Sequence, residues 1–181
     1  MMKMKEKFGL RQLITMAMLA ALTVMCVRFL AFDTGIVRIS FGFVPISVAA
    51  MTLGPIGGGL TAVIADLLGM LINSKGGVYF FPFTISEFLY GFGYGLFLYR
   101  KNPSMLKLSL CVGVQFIVIN LFITSFWLYL YSIFITGTHK TFIAIFTSRT
   151  LAALVSLPIH IIVIDLLQKY LAPQLRRITA Q

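Results

Sequence analysis

The sequence predicts an all-α integral membrane protein: a bundle of six transmembrane helices with the N- and C-termini in the cytoplasm. Three observations predict it. Of 181 residues, 59% are hydrophobic and 11% charged, where soluble domains run roughly 45–50% apolar and about 25% charged. Mean hydropathy is +0.97, and each crossing needs roughly 20 apolar residues, so the length accommodates about six crossings and no soluble domain. Residues 1–181 are therefore expected to form a single membrane domain. The third observation is the grouping of Lys and Arg at alternate connections between the apolar runs.

The first run, 12–32, follows Lys3, Lys5, Lys7 and Arg11, the basic-then-apolar order of a secretory signal. It is too long for one, no A-x-A pattern follows it, and Met25 before Cys26 does not suit lipoprotein cleavage, so a retained span is expected. The second, 40–54, is short and contains Pro45, and only Gly54-Pro55 separates it from the third, 56–72. The remaining spans are 83–99, beginning after Pro82, then 108–134 and 142–170. Six crossings place both termini and the connections near 55 and 100–107 on one side. That side carries Lys3, Lys5, Lys7, Arg11, Arg100, Lys101, Lys107, Lys169, Arg176 and Arg177, and the other only Arg38, Lys75 and Lys140. The positive-inside rule assigns the first group to the cytoplasm.

The net charge of +10 points to anionic lipid headgroups of the bilayer and to topology, not to nucleic acid, because the basic residues flank apolar segments. Cys26 and Cys111 lie inside apolar runs without C-x-x-C spacing, so neither a disulfide framework nor a metal site is suggested. G-x-x-x-x-G-K-[ST], H-E-x-x-H and G-x-S-x-G are all absent. No enzyme activity and no cofactor are expected of this chain. No inverted halves of the kind seen in many secondary transporters are visible.

An ionisable side chain at membrane depth costs several kcal/mol unless paired or solvated, which singles out Arg28, Asp66, Glu87 and Arg149. With the topology above, all four fall in the outer half of the bundle on four different helices: a polar pocket open to the outside, or Arg–carboxylate pairs that hold helices together. His160, 11 residues after Arg149, returns to the same helical face about 16 Å deeper and is expected to be a bonded bundle histidine. Aromatics gather at the outer level: Tyr79, Phe80, Phe81 and Phe83 around Pro82, after Gly76-Gly77, and Trp127, Tyr129 and Tyr131. They suit an interfacial belt or a stacking surface for a flat ligand. Ala17-x-x-x-Ala21 and Gly91-x-x-x-Gly95 form smooth strips that let helix backbones approach closely.

The stretches Arg38-Ile-Ser-Phe-Gly-Phe-Val-Pro-Ile-Ser47, Gly54-Pro-Ile-Gly-Gly-Gly59, Ala65-Asp-Leu-Leu-Gly69 and Tyr79-Phe-Phe-Pro-Phe-Thr-Ile-Ser86 resemble the S-components of energy-coupling factor (ECF) vitamin transporters, most closely the folate-specific kind. The resemblance covers nearly the whole chain. It implies a substrate-binding subunit in a bacterial plasma membrane, which captures a vitamin near the outer surface and topples in the bilayer to deliver it. A separate transmembrane T-component with two cytoplasmic ATPases would drive it, with Ala17 and Ala21 as the contact. Ligand chemistry agrees. The pterin of folate offers an amide N–H and an amino group to a carboxylate, and its glutamate tail offers two carboxylates to Arg. Cationic thiamine and uncharged riboflavin fit two arginines poorly, whereas biotin and pantothenate remain possible. On this reading Arg28 and Arg149 bind the tail, Arg38 stands at the mouth, Asp66 or Glu87 pairs with the pterin, and Phe80 and Trp127 stack. The rival reading is a structural membrane protein with no small-molecule ligand.

Overall fold

The computed structural model describes residues 9–29, 31–33, 38–72, 78–99, 101, 104–137 and 141–171. Among them are five helices and one short hairpin. Helix α1 (Leu10–Arg28) opens with the Gly9 N–H donating to Gln12 Oε1 at 3.1 Å. Strands β1 (Phe32–Asp33) and β2 (Arg38–Ile39) pair antiparallel, with Asp33 opposite Arg38. Helix α2 (Phe43–Ile72) follows, then α3 (Phe81–Leu98). Helix α4 (Met105–Phe134) is α-helical at both ends and π-helical over Phe116–Ile123, and α5 (Phe142–Leu171) closes the chain with a π turn at Leu167–Leu171.

The form of α2 follows from two residues. Gly54 has φ +80°, open to glycine at little cost, and Pro55 lacks the N–H that would continue the first limb's hydrogen bonding. The chain doubles back there. A Cβ placed on Gly58 would stand 2.8 Å from the Cβ of Ala50, although residues eight apart in a straight helix are separated by about 12 Å. The returning limb then meets α3 backbone to backbone: Gly58 faces the Gly91 carbonyl, and Gly95 lies on Gly54 and Pro55. The Gly91-x-x-x-Gly95 strip is thus a packing seam within the bundle.

Phe43, Ile46, Ala50, Met51 and Ala62 of α2 join Tyr90, Tyr94 and Leu98 of α3, Leu108 and Val112 of α4 and Ile164 of α5 in one buried core. Helix α1 leans on α2 through Met16, Ala20 and Val24. Large apolar side chains, among them Leu13, Met18, Leu71, Leu110, Ile143 and Leu154, are exposed around the outside, the surface a multi-pass membrane protein presents to lipid.

The all-helical membrane class stands, but the expected count of six transmembrane helices does not. Among the described residues four helices are long and apolar enough to cross a bilayer: α1, α2, α4 and α5. The expected break between 40–54 and 56–72 falls at the non-helical Gly54 of α2, but the first limb, 43–53, rises only about 16 Å, half an apolar thickness. Helix α3, expected to span as 83–99, carries Thr84, Ser86, Glu87 and three glycines in its 18 residues, which dilute its apolar run. The placement of both termini in the cytoplasm rested on six crossings and falls with that count.

Candidate binding site

A cavity of about 420 Å³ lies between α2, α3, α4 and α5. Phe43 and Ile46 form one wall, Ser86, Glu87 and Tyr90 a second, and Phe116, Ile119, Asn120 and Thr124 a third. Helix α5 supplies a stripe of Arg149, Ala152, Ala153, Ser156 and His160, at the spacing that keeps side chains on one helical face. A smaller cavity of about 70 Å³ adjoins it, lined by Thr23 and Arg28 of α1, Asp66 and Gly69 of α2 and Glu87 of α3. Val27, Ile46 and Glu87 line both. The four charges singled out in the sequence therefore line two neighbouring cavities: Glu87 and Arg149 the larger, Arg28, Asp66 and again Glu87 the smaller.

Arg149 is half-buried, and Asn120 holds it. Its Nε donates to the Asn120 carbonyl at 3.2 Å and its Nη2 to Asn120 Oδ1 at 2.8 Å. The Arg28 guanidinium lies against Gly69, where an added Cβ would meet Nε at 3.1 Å and Nη2 at 3.2 Å. Asp66 Oδ2 accepts from Thr84 Oγ1 at 2.7 Å, and Thr84 lies 2.8 Å from the Tyr79 hydroxyl. A threonine hydroxyl has one proton to give, so when it serves Asp66 the tyrosine must donate to Thr84. His160 is buried; its Nδ1–H donates to the Ser156 carbonyl at 2.8 Å, and its ring stacks on Phe43 with centroids 3.7 Å apart. It is bonded within the bundle as its position predicts, and it also forms part of the cavity wall.

Phe80 and Trp127 do not line either cavity. Phe80 packs edge-on to Phe83 at 5.5 Å and to Tyr131 at 5.7 Å, and the Tyr131 hydroxyl accepts from the Val78 N–H at 3.2 Å. Trp127 packs on Phe126 at 5.4 Å. Aromatic walls come instead from Phe43, Tyr90 and Phe116. Arg38 pairs through its backbone in the hairpin, and its side chain, like the Gly76-Gly77 loop, lies outside the described residues. Ala17 and Ala21 are exposed on α1. Sequence reasoning missed Phe43, Tyr90 and Phe116 as well as Asn120, whose one signal is an amide between Ile119 and Leu121 in an apolar run. Among the described residues no three His, Cys, Asp or Glu side chains gather as metal ligands.

Comparison with known proteins shows what the chain is similar to. The family described as ECF transporter, substrate-specific component, matches residues 11–167. The folate transporter FolT of Clostridium novyi (strain NT) is 37% identical over 152 residues, 84% of each chain. FolT of Leuconostoc mesenteroides subsp. mesenteroides is 30% identical over 156 residues, 86% of this chain and 83% of its own. A crystal structure of FolT bound with folic acid superposes with a TM-score of 0.76 at 33% identity, covering 87% of this chain and 91% of that one.

Proposed function

The chain belongs to the substrate-specific components of ECF transporters, and from that premise we propose that it is the folate-binding subunit of such an importer. The observation that carries the reading is the likeness, over 87% of this chain, to FolT bound with folic acid. The cavity supports it: about 420 Å³ falls in the range of small-molecule sites, roughly 300–1,000 Å³, which pair apolar walls with a few placed polar groups.

Within that cavity, Arg149 binds a carboxylate of the glutamate tail, because a guanidinium presents parallel N–H donors that match a carboxylate. Glu87, shared by both cavities, accepts from the pterin amide and amino groups, with Asp66 as the alternative. Arg28 supplies a second cation from the smaller cavity, and Arg38 acts at the mouth. Stacking falls first to Phe43, Tyr90 and Phe116, which line the cavity, ahead of Phe80 and Trp127, which do not. Ligand capture from outside a bacterial plasma membrane is followed by delivery on a T-component with two ATPase subunits, docked over the exposed Ala17 and Ala21. ATP is hydrolysed in those partners, not here.

Calorimetric titration of the detergent-purified chain with folic acid, 5-formyltetrahydrofolate, pantothenate, biotin and riboflavin tests the reading. One site per chain with nanomolar affinity for a folate is expected. Arg149→Ala should weaken folic acid binding about 10- to 100-fold, since hydrogen bonds to charged groups contribute about 1.5–3 kcal/mol and about 1.4 kcal/mol is tenfold. If Arg28→Ala and Arg149→Ala both stay within about threefold of wild type, the site assignment is wrong. Binding of pantothenate or biotin instead would keep the family and replace the substrate.

A further inference from the structure

The least expected local structure in the bundle is the π-helical stretch Phe116–Ile123. Eight π residues are many, since such turns are rare and often mark functional positions. The stretch forms one wall of the larger cavity. Its hydrogen bonding is shifted: the Thr124 N–H and Oγ1 both reach the carbonyl of Ile119, five residues back, the latter at 2.8 Å. Next to that shift, the Asn120 carbonyl accepts from another helix, from Arg149 Nε at 3.2 Å. A second contact, Arg149 Nη2 to Asn120 Oδ1 at 2.8 Å, makes the grip two-pronged.

Which edge of the guanidinium is gripped matters. Arg has five N–H donors in a rigid plane, with two forks that can face a partner: one formed by Nε and Nη2, the other by Nη1 and Nη2. Asn120 takes one donor on Nε and one on Nη2. The outer fork keeps its pair of convergent donors, one Nη1 proton and the second Nη2 proton. A side chain facing the cavity, clamped along one edge and open along the other, is a preorganised receptor for a planar anion.

We infer that Asn120, presented by the π-helical stretch, is a positioning residue that fixes the Arg149 plane so that its Nη1/Nη2 fork receives a ligand carboxylate. The inference rests on the folate reading and refines one contact of it. Asn120 acts through Arg149: without it the arginine keeps its charge and loses its aim.

The test uses the full chain in detergent and two ligands of equal shape, folic acid and its diamide, in which both glutamate carboxylates are carboxamides. Asn120→Ala removes the Oδ1 prong and leaves the backbone carbonyl, so folic acid should bind about 5- to 10-fold more weakly, while the diamide stays within about twofold of its wild-type affinity. Asn120→Leu, nearly isosteric and so the safer variant for folding, removes the Oδ1 acceptor without adding a charge; it too should lose folic acid selectively. In an Arg149→Ala background, Asn120→Ala should change folic acid affinity by less than about threefold. Equal losses for both ligands would mean that Asn120 shapes the cavity generally, and no loss for either that Arg149 needs no clamp; either overturns the inference while folate binding stands. Failure of the wild-type chain to bind folic acid overturns the folate reading itself, and this inference with it.

Discussion

Gly91→Ala should destabilise the bundle although alanine is the better helix former. An added Cβ would press on the Gly58 carbonyl oxygen, 2.7 Å from the Gly58 carbonyl carbon and 3.0 Å from the Gly59 nitrogen. All three are backbone atoms and cannot swing aside. Carbon atoms rest at about 3.5–4.0 Å, so α3 and the returning limb of α2 must part by about 1 Å. A gap of that size forfeits a quarter to a half of each dispersion contact. Over about 40 atom pairs at about 0.1–0.2 kcal/mol each, the middle of these ranges gives a loss of about 2–3 kcal/mol, the upper part of the range for overpacked interiors. Helix propensity returns about 1 kcal/mol, leaving about 1–2 kcal/mol, or about 2–8 °C in Tm for a chain of this size. Thermal unfolding in detergent measures it. Gly113→Ala is the control, because nothing lies within 4 Å of its added Cβ; it should raise Tm by about 2–4 °C, its propensity gain being unopposed. Gly91→Ala melting at or above wild type, or both variants shifting alike, would refute the close-approach argument.

Two further outcomes follow. Thr84→Val removes the hydroxyl that serves Asp66 at 2.7 Å and meets Tyr79 at 2.8 Å, stranding a half-buried carboxylate; a loss of about 1–3 kcal/mol should appear as a lower Tm, restored by Thr84→Ser. Ala17→Trp and Ala21→Trp place bulk on an exposed face of α1, so folic acid affinity should stay within about twofold while ATP-driven uptake in proteoliposomes with the T-component and ATPases falls at least tenfold; unchanged uptake would remove this face from the docking surface.

The sequence shows where charge is expensive, and so it leads to Arg28, Asp66, Glu87 and Arg149, whose burial needs a reason. It also marks Gly54-Pro55 as a break. That the break is a reversal laying Gly58 on Ala50 depends on a positive φ that glycine permits and does not dictate. Asn120 is illegible for a related reason: an amide in an apolar run carries no charge signal, and its use depends on a π register that the string Phe116-Ile-Val-Ile-Asn-Leu-Phe-Ile123 does not announce. Phe80 and Trp127 read as stacking platforms because composition cannot tell that they pack on Tyr131 and Phe126 and line neither cavity.

The stripe on α5 works as a ruler. From Arg149 to His160 is 11 residues on one face, about 16 Å at 1.5 Å per residue, with only Ala152, Ala153 and Ser156 between them. A compact vitamin can engage one end of that scale but not both, and leaves the small-residue stretch to solvent. On the proposed reading, in which Arg149 takes a carboxylate, an elongated molecule with an anion at one end and a flat ring system at the other covers the whole scale. Discrimination on that reading is set by reach as well as by functional groups, so ligands that carry the right groups too close together should bind more weakly than elongated ones.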